Sequence, residues 1–303
     1  MDISQGLVTG IVQGLTEFLP ISSSGHLVLT ASIYKFLTGQ PLSSGGSEEI
    51  FFDIMLHIGT LLAVLVYFRQ DIVHLTKIFA VSLRNGTLKT NQEAKIPLYI
   101  AIGTIATVFV AFPLKNHFES LVHNPAMVGI ILIFTGTMLY STEFISEKLS
   151  KKDTLIGWKR AVIIGLAQGL AVAPGLSRSG ATIAAGLASG LDRVTCARYS
   201  FLLSVPIILA AGIFHSLELF MTGEFASFNW TAILAGTLVS TLVGYYCIKY
   251  FIIFISKNKL NIFAIYCWIV GAAMAIFFTL ADFVTGSHAS FKPMPIITYF
   301  LGF

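Results

Sequence analysis

Apolar residues in this chain run in long unbroken blocks, not at the two-residue period of a half-buried strand. Six blocks, residues 50–68, 96–113, 126–144, 199–220, 231–255 and 261–284, carry few charges. About 20 apolar residues in a helix rising 1.5 Å each cross a bilayer, so each block is predicted to be a membrane-spanning helix. Two further apolar regions break that pattern. Residues 3–37 are interrupted by Gln13, Glu17, Pro20 and the run Ser22-Ser23-Ser24-Gly25-His26. Residues 161–191 are interrupted by Gln168, Pro174-Gly175 and Ser177-Arg178-Ser179-Gly180. Neither half of either region is long enough to cross alone. Each is predicted to be a re-entrant hairpin, two half-helices meeting at a polar turn that protein or water must cover.

The two broken regions are copies of one another. A gapless shift of 155 positions lays Gly10, Gln13, Gly14, Leu15, Ser22, Ser24 and Gly25 on Gly165, Gln168, Gly169, Leu170, Ser177, Ser179 and Gly180. The expected organisation is a duplication, residues 1–150 and 151–303, each half one hairpin (3–37 or 161–191) followed by three spans. An odd number of spans separates the copies, so they enter from opposite sides, which makes an all-α membrane protein with an inverted-topology repeat. The charges agree with this. Arg69, Lys77, Arg84, Lys89 and Lys95 follow the first span; Lys148, Lys151, Lys152, Lys159 and Arg160 follow the third. Arg193 and Arg198 precede the fourth span, and Lys257 and Lys259 follow the fifth. Residues 38–49 and 221–230 carry no Lys or Arg, and 114–125 only Lys115. Positive loops face the cytoplasm; the alternation holds throughout if both hairpins return to the side they entered from. The first then dips in from outside, the second from the cytoplasm, and both termini lie outside. If only one broken region crossed as an ordinary span, the basic loops of the two halves would fall on opposite faces.

Composition removes other classes. Of 303 residues, 55% are hydrophobic and 11% charged, with a mean hydropathy of +0.81, against about 25% charged in soluble proteins. A soluble enzyme is excluded, and no loop is long enough for a separate soluble domain. The net charge of +4 is too small to suggest nucleic acid. Cys196, Cys247 and Cys267 form no CxxC or metal spacing, so buried thiols are expected. The first basic residue is Lys35, so no basic segment marks a cleavable signal peptide.

An ionisable group at mid-membrane costs roughly 2.5–3.5 kcal/mol on insertion scales, which makes Glu17, His26 and Arg178 candidates for function. Serines and a threonine surround them: Ser22, Ser23, Ser24, Ser177, Ser179 and Thr182. Gln13 and Glu17 share a helix face. Their oxygens suit a hard cation, Mg²⁺ or Ca²⁺; Glu17 also suits a general base, and spacing does not choose between the two. Ser22–His26 turns into a helix N-terminus, which favours a phosphate. Ser23 and His26, three apart, are expected to meet as an activated hydroxyl and its base, although serines there also serve as caps. Arg178 needs an anion: a phosphate, which guanidinium matches bidentately, or Glu17 itself. Asp53 and His57 read as a local structural pair, and His74, His117, His123, His215 and His288 as loop or interfacial residues.

Gln13-x-x-x-Glu17, the Ser-Ser-Ser-Gly-His stretch and Pro174-Gly175-Leu176-Ser177-Arg178-Ser179-Gly180-Ala181-Thr182 together resemble the BacA-type undecaprenyl-diphosphate phosphatases. The resemblance extends over most of the chain, including the segment from Tyr199 to Pro206. It implies removal of the terminal phosphate of a C55 isoprenyl diphosphate, recycling the carrier of cell-wall precursors, and with it bacitracin resistance. It further implies Ser23 as nucleophile or phosphate ligand and His26 as its proton partner. Glu17 with Gln13 would hold a divalent cation or act in acid–base chemistry. Arg178 with Ser177 and Thr182, beside Ser22, Ser24 and Ser179, would clamp the diphosphate. The implied partners are the polyprenyl lipid and the plasma membrane, with the site opening to the outer face and a homodimer as the alternative to a monomer. A second class of membrane lipid phosphatases also carries Ser-Gly-His and Ser-Arg, but follows them with a nucleophilic His and an Asp where this chain has Ala184 and Ala188. The competing function is a transporter or flippase for an anionic lipid phosphate, because inverted repeats with broken helices are transporter architecture.

Overall fold

The computed structural model describes residues 2–38, 47–119, 124–149, 152–222 and 228–285. Among them the chain is all-helical: α1 (Ile3–Thr16), α2 (Ser23–Thr38), α3 (Ser47–Tyr67), α4 (Arg69–Arg84), α5 (Ile96–Glu119), α6 (Pro125–Lys148), α7 (Trp158–Leu170), α8 (Arg178–Ala188), α9 (Arg193–Thr222), α10 (Trp230–Lys257) and α11 (Asn261–Thr285). Six of these, α3, α5, α6, α9, α10 and α11, are long and apolar enough to cross a bilayer, in agreement with the six predicted blocks. Pro113 and Pro206 lie inside α5 and α9 without ending them, as neighbouring helices in apolar surroundings allow. The chain is a multi-pass membrane protein.

The stretch between the first two spans corrects the sequence reading, which treats it as loop. Residues Arg69–Arg84 form a helix, α4. Ile72, Leu75, Phe79 and Ser82 recur at helical spacing and turn inward, while Arg69, Gln70, Lys77 and Arg84 face out. That stripe is too narrow for a membrane span but sufficient to dock an amphipathic helix.

Each broken region is two short helices folded back on each other. Tyr34 Oη, near the end of α2, donates to Asp2 Oδ2 at the start of α1 (3.1 Å). At the second hairpin, Arg160 Nε of α7 donates to Ser189 O just beyond α8 (3.2 Å), and Asp153 pairs with Leu191. Arg160 Nη1 also donates to Asp153 Oδ2 (2.7 Å), and that bond holds the Asp153 carboxyl below its ordinary value.

Side-chain bonds show which ends of the helices lie together. Arg198 at the start of α9 pairs with Asp71 just after α3 (2.6 Å). Arg193 grips Glu143 near the end of α6 through both carboxylate oxygens, and Leu260 N, between α10 and α11, donates to the same group (2.7 Å). The basic loops therefore gather at one end. At the other, Lys35 pairs with Glu49 (3.2 Å) and Asn229 N donates to Glu48 (2.6 Å), joining the end of α2 to the starts of α3 and α10.

The first helix of each hairpin packs on a helix of the opposite half, α1 on α10 and α7 on α5. Glycine makes this approach possible. A Cβ on Gly10 would lie 2.5 Å from Gly236 O, and one on Gly165 would lie 2.3 Å from Gly103 O. The backbones touch there, the close small-residue packing that apolar surroundings favour.

Candidate active site

Between α1 and α2, and again between α7 and α8, the chain turns sharply inside the bundle. Ser22 adopts a left-handed backbone (φ 68°), which a non-glycine residue enters at a cost. Gly175 does the same in the second turn (φ 91°), where a Cβ would also lie 2.5 Å from Val128 O. Ser22 and Ser177 then cap the helices that follow: Gly25 N donates to Ser22 Oγ (3.3 Å) and Gly180 N to Ser177 Oγ (3.0 Å).

The two elbows interlock. Ser179 Oγ of the second donates to Leu19 O of the first (2.9 Å), and Gly175 N donates to Ser24 Oγ (3.5 Å). Arg178 Nη2 donates to Glu17 Oε1, a buried ion pair joining the hairpins. The other carboxylate oxygen, Glu17 Oε2, accepts from Ser23 Oγ (2.6 Å) and Gln13 Nε2 (3.0 Å). His57 Nε2, from α3, lies 3.9 Å from the same oxygen. Gln13, Glu17, His57 and Arg178 are shielded from solvent, with Glu17 4% exposed and Arg178 5%, and Ser23 is half-buried.

Several polar atoms of the cluster are buried without a hydrogen-bond partner: Arg178 Nε and Nη1, His57 Nε2 and Gln13 Oε1. Native proteins pair most buried polar groups. The two guanidinium donors suit an anion, whereas the amide oxygen is an acceptor, as is the imidazole nitrogen when the ring is neutral. Among the described residues no three His, Cys, Asp or Glu form a ready-made metal cluster. Glu17 and Gln13 Oε1 nonetheless fit a cation that takes its remaining ligands from phosphate and water, as Mg²⁺ commonly does.

Other expectations need correcting. His26 does not meet Ser23. Its Nδ1 is bonded to Ser22 O (2.8 Å) and its Nε2 to Tyr266 Oη (2.8 Å), and it stacks on the Tyr266 ring. Three residues along a helix put the two side chains on neighbouring positions, but the imidazole swings back onto its own cap. Thr182 is likewise turned away: its hydroxyl bonds Arg178 O (2.9 Å) and Ser200 Oγ (2.6 Å). The hydroxyls of Ser22, Ser177, Ser179 and Ser24 serve as caps or links between elbows, while Arg178 keeps two donors without a partner. His57 is the residue that sequence reasoning set aside. It does bond Asp53, but through the backbone carbonyl (Nδ1 to O, 2.8 Å), and its other nitrogen faces Glu17. An imidazole amid an apolar span was the available signal. His123 and His288 fall outside the described residues.

Residues 6–273 match the family model described as Bacitracin resistance protein BacA. The chain belongs to the BacA family. Among its relatives, the undecaprenyl-diphosphatase of Halothermothrix orenii is 39% identical over 91% of this chain and 98% of its own. That of Desulforapulum autotrophicum is 43% identical over 89% and 96%. The corresponding Methanosphaera stadtmanae protein is 40% identical over 89% and 96%. The matched BacA region contains both elbows, so Glu17, Ser23, His57 and Arg178 all lie within the part of the chain that defines the family.

Proposed function

We propose that this protein is an undecaprenyl-diphosphatase whose active site is the junction of the two elbows. The observation that carries the reading is the bond from Ser23 Oγ to Glu17 Oε2, made while Arg178 holds the opposite oxygen of the same carboxylate. A serine donating to a buried carboxylate is a hydroxyl with its base in place. The unpartnered Nε–H and Nη1–H of Arg178 are fixed donors for phosphate oxygens, aimed before substrate arrives.

In this mechanism Arg178 and the α2 turn bind the terminal phosphate. Ser23 Oγ attacks its phosphorus as Glu17 takes the hydroxyl proton. The new Oγ–P bond forms as the bridging P–O bond breaks, and polyprenyl monophosphate leaves. Glu17 passes that proton to the departing monophosphate. Water then attacks the phosphoserine phosphorus and gives one proton to Glu17, which returns it to Ser23 Oγ as that oxygen leaves and inorganic phosphate is released. Glu17 with Gln13 would hold a divalent cation, which supplies neutralisation of diphosphate charge when bound. Removing the diphosphate that bacitracin sequesters accounts for resistance.

The finer architecture follows the same reading. Each elbow hairpin re-enters the membrane, and the two form the matched halves of an inverted repeat. The reciprocal packing of α1 on α10 and α7 on α5, and the opening of the hairpins toward opposite ends, support this. With the basic loops cytoplasmic, the site belongs to the outer-facing first hairpin in the cell membrane. A cysteine at Ser47 should then label from outside and one at Lys89 should not; the reverse pattern contradicts the orientation.

The decisive experiment is phosphate release from undecaprenyl diphosphate by purified protein in detergent. Release that disappears in Glu17→Ala and Arg178→Ala is expected. Binding of the lipid without release would make the protein a carrier instead.

A further inference from the structure

Glu17 Oε2 and His57 Nε2 face each other at 3.9 Å, beyond hydrogen-bond length, in a site that shields both. The tautomer of His57 decides what that gap means. Its Nδ1 sits 2.8 Å from Asp53 O, a carbonyl that only accepts, so Nδ1 carries the proton. In the neutral ring Nε2 then presents a lone pair. That is the usual posture of a metal-bound histidine, whose second nitrogen donates to a backbone carbonyl or a carboxylate. Two acceptors facing one another repel unless a positive centre, a proton or a metal ion, lies between them. Two metal–ligand bonds of about 2.1 Å span up to about 4.2 Å, and the observed separation falls inside that limit. Gln13, whose Nε2 bonds the same carboxylate oxygen, adds a third acceptor with no partner, Oε1.

We infer that His57 Nε2 is a direct ligand of the divalent cation that Glu17 and Gln13 hold, making a mixed nitrogen–oxygen site. The inference rests on the proposed hydrolase reading for the presence of a cation, and it assigns His57 a role that a hard, all-oxygen site would not contain. One carboxylate and one amide are a weak set for a cation, and the imidazole strengthens it from a third element of the fold. The consequence is selectivity. Imidazole favours transition-row ions over Ca²⁺ and Mg²⁺, so Mn²⁺ and Zn²⁺ are expected to bind more tightly than Ca²⁺.

The test uses the full-length protein in detergent with Mn²⁺ alone as probe, read by pulsed electron paramagnetic resonance. Modulation from one imidazole nitrogen is expected in the parent protein. It should vanish in His57→Ala, with Mn²⁺ affinity reduced about tenfold or more. His57→Gln, which keeps a polar side chain of similar reach, should bind Mn²⁺ without the nitrogen signal; that variant covers the case in which His57→Ala fails to fold. The signal should persist in His26→Ala and His74→Ala. No modulation at saturating Mn²⁺, modulation that survives in His57→Gln, or modulation lost in His26→Ala would overturn the assignment. Phosphate release measured on the same preparation separates the two readings. Turnover without nitrogen coupling removes His57 from the cation site and leaves the hydrolase intact. Coupling without turnover under any divalent cation removes the hydrolase and leaves the site.

Discussion

The two hairpins share a scaffold and differ in their chemistry. Where they agree in sequence, they agree in structural task. Gly10 and Gly165 let α1 and α7 touch the backbones of α10 and α5, and Ser22 and Ser177 cap the second half-helix of each. Ser24 and Ser179 each reach across to the opposite elbow. Where they disagree, the groups of the proposed active site appear. Ser23 occupies the position that Arg178 holds in the second copy, and Glu17 corresponds to Val172, which is buried among apolar neighbours. The repeated residues place two turns against each other; the residues that broke the repeat turn that contact into a polar site. A perfectly symmetric protein would have two serines or two arginines here, and no complementary pair.

The asymmetric residues should therefore give large functional losses, and the shared ones smaller, matched losses of stability. Arg178→Ala should have the largest effect. It leaves Glu17 buried without its countercharge, a loss of about 3–5 kcal/mol, and takes phosphate release down by at least about 10²–10³-fold. Adding Glu17→Gln to it should return much of the stability in a melting measurement and none of the turnover. Ser23→Ala should lower turnover by about 10²–10⁴-fold while changing stability by about 1 kcal/mol, because only one hydroxyl donor leaves. Gly10→Ala and Gly165→Ala should each destabilise by about 1–3 kcal/mol through overpacking; a large effect in one copy alone would show that the halves do not share a scaffold. Ser22→Ala and Ser177→Ala should be smallest, each costing about 1 kcal/mol for a lost cap, seen as similar shifts in thermal unfolding.

Much of this was legible in the sequence because a bilayer imposes severe rules. Uninterrupted apolar length marked α3, α5, α6, α9, α10 and α11, and interruption by Gln, Pro and Ser marked the elbows. The gapless Gln-Gly-Leu and Ser-x-Ser-Gly matches tied the elbows together, and a charge as costly as Arg178 had to find a partner across them. What escaped was side-chain direction and anything with a weaker pattern. α4 is amphipathic, not apolar, so a search for long apolar blocks passes over it. His26 and Thr182 sit beside the right residues in sequence, but each turns to a partner that only the tertiary packing supplies, Tyr266 and Ser200. His57 stands 40 positions from Glu17 on another helix, and no local spacing connects them.

In the proposed mechanism one phosphate is handled by groups from both hairpins at once, Ser23 attacking and Arg178 holding. Acid quenching during turnover of undecaprenyl diphosphate labelled on its terminal phosphate tests it most directly. Label is expected on Ser23 in the parent protein and none in Arg178→Ala. Label on another residue, or undiminished label on Ser23 when Arg178 is gone, would contradict it.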